Sequence, residues 1–259
     1  MKDNGSIESI RLYPSPNKNV QINEIIYWSN GLKVKGLLAK PLFADSVEPL
    51  LYLRGGLQSV GAVRPARIAQ FAQQGFIVFA PYYRGNRGGQ GRDEFAGEDR
   101  FDAVYGVDVL KQFTNSEKVH VYGFSRGGLM ALWTAILRDD IKSVVTWSGV
   151  SNVSYMYIER EDMRRTLKRI IGGSPTKVKE LYEQRTPLYH INQIEAPVLI
   201  IHGMNDINVS IDQAYFLENA LKSENKIYET WYYPELTHHY PPLQNRKTVR
   251  VICEWMKTK

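Results

Sequence analysis

The chain has 259 residues, of which 43% are hydrophobic and 23% charged, and it is long enough for one large α/β domain with a sizeable core. No apolar run approaches the roughly 20 residues that a membrane-spanning helix needs, which excludes an integral membrane protein. The formal net charge is +6, but the basic residues are scattered rather than clustered, so a nucleic-acid partner is not expected.

The first predicted elements are a polar leader and a β-hairpin. Residues 1–20 lack the apolar segment of a signal peptide, and Cys253 is the only cysteine; both features favour a cytoplasmic location. The stretches INEIIYWS and LKVKGLLAKP then flank Asn30-Gly31, a dipeptide typical of two-residue hairpin turns. The sequence therefore predicts an antiparallel hairpin near the amino terminus.

Beyond the hairpin, short apolar runs alternate with amphipathic helical segments. This alternation is typical of a mostly parallel sheet with helices on both faces. The predicted strands are PLLYLRG, GFIVFAPYY, KVHVYGF, SVVTWSG, APVLIIHG and KIYETWYYP. With the hairpin they predict a single α/β domain over residues 1–259 that has about eight strands. Residues 151–190 are charged and helix-prone, and we expect this small helical insertion to cover the carboxyl edge of the sheet, where ligands bind.

The segment VHVYGFSRGGLM, residues 119–130, joins a predicted strand to a predicted helix through a glycine-rich turn. Such turns either bind phosphate or expose a nucleophile. A dinucleotide-binding turn needs glycine where Ser125 stands, and the glycine-rich stretch from Gly85 to Gly91 is not followed by the Lys-Ser or Lys-Thr of a phosphate-binding loop. Gly123 to Gly127 instead matches the G-x-S-x-G of a nucleophile elbow, which exposes the serine hydroxyl above the sheet.

A nucleophilic serine needs a histidine as base and an acid that orients the histidine. In this architecture the acid and then the histidine follow the serine along the chain. His238 and His239, in the loop after the last predicted strand, are therefore the candidate bases. Asp206 follows the strand APVLIIHG by a few residues and is the best candidate acid. The sequence permits a Ser-His-Asp triad at the carboxyl edge of the sheet.

These motifs make the chain resemble the catalytic domain of the prolyl oligopeptidase family, which includes acylaminoacyl peptidases and dipeptidyl peptidases. The likeness begins near Val20 and reaches the C-terminus. Besides the elbow, three further stretches are similar to family motifs: Arg84 to Gly91 with Gly97 to Asp102, Pro197 to Val209, and Tyr233 to His238. The resemblance implies an α/β-hydrolase fold, Asp206 as the triad acid, and His238 rather than His239 as the base. We expect a stand-alone domain without the β-propeller of larger relatives.

The oxyanion of the intermediate is expected to meet two backbone amides. One is that of Arg126, and the other is that of Gly56 or Leu57 in the loop after the third predicted strand. The guanidinium of Arg126 is expected at the surface. Arg54 stands where family members carry histidine or tyrosine. It could donate to the oxyanion or pair with a carboxylate, and we favour the pairing.

Several further side chains are predicted to surround the triad. Tyr155 and Tyr157 follow a predicted strand, and we expect them to line an acyl pocket. His239 is expected to be structural or to face the substrate. Asp99 and Asp102 are expected to fix a loop by helix capping or by pairing with arginine, without a catalytic role.

The sequence thus predicts a serine hydrolase that cleaves short peptides, aminoacyl derivatives or small carboxylic esters through an acyl-enzyme intermediate. The alternative is a hydrolase-fold protein that binds a small ligand or a partner without turnover. A small molecule or short peptide is the expected substrate, with no cofactor, metal, nucleic acid or membrane as partner. Residue patterns decide neither between esterase and peptidase nor on the oligomeric state.

Overall fold

The computed structural model of the protein describes residues 2–43, 47–58 and 60–259. These residues form nine β-strands, eight α-helices and two 3-10 helices. The strands are β1 Ile7–Tyr13, β2 Val20–Ser29, β3 Leu32–Pro41, β4 Glu48–Leu53, β5 Phe76–Pro81, β6 Val119–Phe124, β7 Ile141–Trp147, β8 Val198–Gly203 and β9 Tyr228–Tyr233. The α-helices are α1 Pro65–Ala72, α2 Arg100–Lys111, α3 Gly127–Ile136, α4 Val153–Glu159, α5 Arg164–Ile171, α6 Lys179–Glu183, α7 Ile211–Ser223 and α8 Pro242–Lys257, and the 3-10 helices are Glu161–Met163 and Pro187–Gln193.

The strands of the described residues belong to one sheet, in the order β1-β2-β3-β5-β4-β6-β7-β8-β9. Along this order the pairs from β1 to β5 are antiparallel, and every pair from β5 to β9 is parallel. This arrangement confirms the predicted α/β class with a mostly parallel sheet. None of the described helices is both long enough and apolar enough to cross a membrane.

One strand more than the predicted eight or so is present, because β1 lies inside the stretch that composition indicates as a leader. It pairs antiparallel with β2 at the edge of the sheet, with Ile10 opposite Ile25. Arg11 and Leu12 in this strand are exposed. The strand IESIRLY contains several apolar residues, but it lies between the polar stretches KDNGS and PSPNKN, and these make the composition of residues 1–20 resemble a leader.

The predicted hairpin is formed by β2 and β3. Asn30 and Gly31 have φ values of 47° and 74°, as the favoured two-residue hairpin turn requires. Ser29 and Leu32 are paired directly before and after them. The predicted antiparallel hairpin with its turn at Asn30-Gly31 is therefore confirmed.

Two hydrophobic cores cover the two faces of the sheet. Leu51 of β4 belongs to the core beneath α2 and α3, whereas its neighbour Leu50 belongs to the core beneath α1 and α8. Both leucines are fully buried. Because the central strands are covered on both faces, their sequences are continuous apolar runs rather than alternating patterns. The loops at the carboxyl ends of these strands carry the predicted triad.

The chain between β7 and β8 forms α4, α5, α6 and both 3-10 helices. Asn152 caps α4, since its side chain accepts a hydrogen bond from the Tyr155 amide at 2.9 Å. Gly172, with a φ of 108°, ends α5. Leu167 and Tyr182 are buried in the same core as α3. The insertion is therefore packed onto the main core rather than separate from it.

His120 lies at the amino end of β6, at the opposite end of the strand from Ser125. Its Nδ1 is 2.7 Å from Ser143 Oγ, and its Nε2 is 3.6 Å from Glu48 Oε2. Burial, together with the nearby charge of Lys142, lowers the pKa of His120 from 6.5 to about 4. The imidazole is therefore neutral in the folded protein at neutral pH.

We expect His120 to make the protein less stable as the pH falls from about 6.5 to about 4. In that window the unfolded chain binds a proton at this histidine and the folded protein does not, so the free energy of unfolding falls by about 3 kcal/mol in total. Urea unfolding of the wild type and of His120→Gln at pH 7 and pH 4 measures this loss. From pH 7 to pH 4, the free energy of unfolding of the wild type should fall by about 3 kcal/mol more than that of the variant. An equal fall in both proteins would contradict the prediction.

Candidate active site

β6 ends in a sharp turn that brings Ser125 to the carboxyl edge of the sheet. Ser125 has a φ of 56°, in the left-handed region that residues other than glycine rarely adopt. Its amide donates to Trp147 O at 3.0 Å, and its carbonyl accepts hydrogen bonds from Gly128 N at 2.8 Å and Val150 N at 3.1 Å. Residues held in such strained conformations are concentrated at functional sites. The turn has the form of a nucleophile elbow.

Backbone contacts explain the glycines around this serine. A Cβ atom on Gly123 would lie 2.1 Å from the carbonyl oxygen of Gly127, and one on Gly127 would lie 2.1 Å from that of Leu53. Gly55, in the loop after β4, approaches the serine itself: a Cβ atom there would lie 2.7 Å from Ser125 Cβ and 3.3 Å from its Oγ. None of the three glycines could carry a side chain without displacement of its neighbours.

Asp206 and His238 form a buried pair in the loops after β8 and β9. Nδ1 of His238 lies 2.7 Å from Asp206 Oδ2, and Asp206 Oδ1 accepts hydrogen bonds from the amides of Asn208 and Val209 at 2.8 and 3.0 Å. Burial alone would raise the pKa of Asp206, but the hydrogen bonds from His238 and the two amides outweigh burial and hold the pKa below its usual range. An ionised carboxylate only accepts, so Nδ1 of His238 carries the proton and Nε2 is free to act as a base.

Phe124 lies between the elbow and the histidine loop. Its ring centroid is 4.9 Å from that of His238. Among the described residues, the hydrogen bond of the His238 ring goes to Asp206 and none joins it to the Ser125 hydroxyl. Hydrogen bonds between a nucleophile and its base are often long without substrate and tighten when it binds. The triad therefore remains a proposal that this geometry permits.

The two other histidines near the acid have different surroundings. His239 is exposed, and its ring stacks on Phe124 at a centroid distance of 5.6 Å. His202 is buried, with Nε2 2.9 Å from Val209 O and 3.6 Å from Asp206 Oδ2. Burial lowers the pKa of His202, so its neutral ring can donate to Val209 O and hold the acid loop. Sequence reasoning missed this contact, although its place four residues before Asp206 could have indicated it.

Two buried arginines hold the loop that follows β4. Arg54 Nη1 donates to Gly55 O at 3.0 Å, and Arg126 Nη1 donates to Gly56 O at 2.8 Å. Asp93 lies between the two guanidinium groups, 3.4 Å from Arg54 Nη2 and 2.6 Å from Arg126 Nη1. The guanidinium of Arg54 thus pairs with a carboxylate and with backbone carbonyls.

The expectation of a surface guanidinium at Arg126 is wrong. Its side chain is only 2% exposed, and Nη2 lies 2.6 Å from Asp99 Oδ2. A buried charge is costly unless it is paired, and Asp93 and Asp99 together supply the pairing. Burial raises the pKa of Asp99 to about 6, against the effect of Arg126. The expected pairing of Asp99 with an arginine is present, but sequence reasoning identified neither Arg126 nor Asp93 as its neighbours, because both carboxylates come from the long loop before α2.

A second buried pair, Arg84 with Asp102, lies beside this cluster. Arg84 Nη2 donates to Asp102 Oδ1 at 2.8 Å, and the Arg84 amide donates to Asp102 Oδ2 at 2.6 Å. Ser29 Oγ also donates to Asp102 Oδ1 at 2.6 Å. Asp99 and Asp102 thus both pair with arginine, and the side chain of Asp99 does not cap α2.

Tyr155 and Tyr157 lie in α4, in the insertion. Tyr155 Oη donates to Asp212 Oδ2 at 2.5 Å, and the ring of Tyr157 packs edge-on against that of Tyr182 at 6.0 Å. An acyl pocket lined by these tyrosines stays a prediction. Across residues 2–43, 47–58 and 60–259, no three histidine, cysteine or acidic side chains are grouped so that they could hold a metal ion.

A mostly parallel sheet with a nucleophile elbow after β6 and an acid–histidine pair after β8 and β9 defines the α/β-hydrolase fold. The family model described as the prolyl oligopeptidase family matches residues 62–259. The chain therefore belongs to the prolyl oligopeptidase family. Membership of this family indicates a serine hydrolase of the peptidase or esterase type.

The similarity of the chain to individual proteins is consistent with this assignment. The chain is 53% identical over 252 residues to Uncharacterized peptidase YtmA of Bacillus subtilis, across 96% of this chain and 98% of that protein. The acylaminoacyl peptidase of Pyrococcus horikoshii is similar with a TM-score of 0.80 and 20% identity, across 93% of this chain but 42% of that one. The acetyl xylan esterase from Paenibacillus sp. R4 is similar with a TM-score of 0.74 and 18% identity, across 95% of this chain and 88% of that one. The two solved structures share the fold, and the chain spans less than half of the larger one.

Proposed function

We propose that this serine hydrolase cleaves acyl bonds with Ser125, His238 and Asp206 through an acyl-enzyme intermediate. The observation that carries the proposal is the buried hydrogen bond between His238 Nδ1 and Asp206 Oδ2, in loops on the same edge of the sheet as the Ser125 elbow. A protein that only binds a ligand has no need for an ionised carboxylate that orients an imidazole near a strained serine.

The reaction begins when His238 Nε2 accepts the proton of the Ser125 hydroxyl while Oγ forms a bond to the carbonyl carbon of the substrate. Asp206 stabilises the imidazolium that results. The tetrahedral intermediate then breaks its bond to the leaving group, which takes the proton from His238, and the acyl group remains on Ser125. Water repeats the sequence: it gives a proton to His238 and attacks the acyl carbon, and Ser125 leaves with that proton as the carboxylic acid is released.

The negative oxygen of each tetrahedral intermediate needs donors that are already in place. We assign this role to the Arg126 amide and to the amide of Gly56 or Leu57. The close approach of Gly55 to Ser125, where an added Cβ atom would lie 3.3 Å from Oγ, supports the assignment because it places the loop beside the proposed nucleophile. Loss of one such donor typically costs about 3 kcal/mol of transition-state stabilisation.

Short peptides, aminoacyl derivatives and small carboxylic esters are the proposed substrates. Relatives whose names say peptidase support the first two classes. Esters are included because the same triad cleaves both kinds of bond. The two reactions differ in the leaving group, since an amine must take the proton of His238 before it departs, whereas an activated phenolate departs without it.

A fluorophosphonate probe tests the proposal, because it bonds covalently to activated serines. We expect labelling of the wild type at Ser125, located by peptide mass spectrometry, and no labelling of Ser125→Ala. Parallel kcat/KM values for p-nitrophenyl acetate and alanine p-nitroanilide then rank ester and aminoacyl substrates. A wild type that neither labels nor turns over either substrate would favour a protein that binds without turnover.

A further inference from the structure

The side chains of Arg54 and Arg126 hydrogen-bond the peptide carbonyls of the loop Gly55–Leu57 and so orient its peptide groups. Gly55 O accepts from Arg54 at 3.0 Å, and Gly56 O accepts from Arg126 at 2.8 Å and, over a longer distance of 3.5 Å, from Arg54. The described residues contain no cis peptide, and a trans peptide places its C=O and N–H groups on opposite sides. Because Gly56 O faces the Arg126 guanidinium, the amide of Leu57 points away from it.

The Arg126 guanidinium contacts two carboxylates and two aromatic rings. Its Nη1 lies 2.6 Å from Asp93 Oδ1, and its Nη2 lies 2.6 Å from Asp99 Oδ2. The rings of Tyr83 and Phe95 lie 5.0 and 5.5 Å from its central carbon. Two carboxylates and two aromatic faces leave the group little freedom, so the bond to Gly56 O is a fixed one.

The same residue therefore contacts both halves of the proposed oxyanion hole. Its backbone amide follows Ser125 and is one proposed donor, and its side chain holds the carbonyl of Gly56, which lies between the two candidates for the other donor, the amides of Gly56 and Leu57. We propose that the Arg126 guanidinium is a positioning residue, which sets the distance and direction between the two donors and so determines how well the oxyanion is stabilised. The inference rests on the proposed function.

Stability alone does not account for this cluster. Buried ion pairs contribute little net stability compared with apolar side chains of similar volume, whereas the hydrogen bond from Arg126 to Gly56 O gives this cluster a direct contact with the loop. Arg84 and Asp102 offer a comparison within the same protein. They form a buried arginine–carboxylate pair of the same kind, but the hydrogen bonds of Arg84 go to Asp102 and Ser29 and not to the loop Gly55–Leu57.

Arg126→Lys and Arg84→Lys form a matched pair of variants. Lysine keeps the charge, but one ammonium group cannot reproduce the planar fork that hydrogen-bonds Asp99 and Gly56 O while it stays in contact with Asp93. For p-nitrophenyl acetate we expect Arg126→Lys to lower kcat about 10- to 100-fold with KM changed less than about twofold, because the lost stabilisation exists only in the transition state. Arg84→Lys should change kcat less than about threefold, even where both variants melt at lower temperature.

An alkyl trifluoromethyl ketone gives a second measurement. When Ser125 adds to its carbonyl carbon, the serine proton passes to His238 and the carbonyl oxygen becomes an oxyanion in the hole. Its Ki should rise in Arg126→Lys by the same factor as kcat/KM falls. An unchanged Ki in Arg126→Lys, or an equal loss of kcat in Arg84→Lys, would overturn the inference.

Two further variants cover the case in which Arg126→Lys does not fold. Asp99→Asn removes a charge that pairs with Arg126 Nη2, and Asp102→Asn makes the same change in the comparison pair. We expect a loss of kcat and a weaker Ki in Asp99→Asn alone. Labelling of the wild type by the fluorophosphonate probe separates the two proposals. If the wild type is not labelled, both proposals fail. If it is labelled but the two asparagine variants lose the same activity, only the role of Arg126 is overturned.

Discussion

Replacement of Ser125 by alanine is expected to lower kcat/KM for p-nitrophenyl acetate by at least about 10⁴-fold, because the variant has no atom that can carry the acyl group. Alanine adopts the left-handed φ of 56° at a cost similar to that of serine, so the fold should be retained. Steady-state kinetics and a thermal melt of the same preparation measure the two effects separately.

Ser148→Ala is the matched control for this variant. Ser148 follows β7, is fully buried and also has a positive φ, of 47°. Its hydroxyl has no hydrogen-bond partner among the described residues. We expect its loss to change kcat/KM less than about threefold. Full activity in Ser125→Ala would show that the serine of the elbow is not the nucleophile.

Asp206→Asn is expected to lower kcat by about 10⁴-fold while the overall structure is kept. The carboxylate accepts the Nδ1 proton of His238 at 2.7 Å and so leaves Nε2 free to take the serine proton. An amide can donate to Nδ1 instead, which moves the ring proton to Nε2 and blocks the base. Burst and steady-state kinetics with p-nitrophenyl acetate measure the loss in the acylation step.

The control for this variant is Asp212→Asn, the same chemical change in the first turn of α7. Asp212 accepts a hydrogen bond from Tyr155 and is not part of the proposed triad. Its variant should keep kcat within about threefold of the wild type. Equal kinetics for Asp206→Asn and the wild type would be incompatible with a triad in which Asp206 orients His238.

The features that sequence predicted best depend on contacts between residues close in the chain. Gly123 and Gly127 are needed because the backbone of the elbow passes within contact distance of itself and of Leu53, and five consecutive positions encode that requirement. Asn30-Gly31 encodes the hairpin in the same local way. The order of acid and histidine after the serine adds a topological constraint, which limited the choice of base to two neighbouring residues.

The features that sequence missed depend on partners far away in the chain. Nothing near Arg126 indicates that its charge is neutralised in the interior, because Asp93 and Asp99 precede it by an entire helix and strand. The role of His202 beside Asp206 depends likewise on the folded loop. β1 was missed for another reason: the short strand IESIRLY lies between two polar stretches, which dominate the composition of the first 20 residues.

The close packing around Ser125 has a practical consequence for directed evolution. Gly55, Gly123 and Gly127 belong to three backbone segments that touch one another, so random libraries that include these codons would consist largely of misfolded members. Ile207, next to Asp206, is 87% exposed, so substitutions there can change the surface near the proposed active site without disturbing the packed backbone. Exposed loop residues of this kind are therefore the better positions for evolving substrate selectivity.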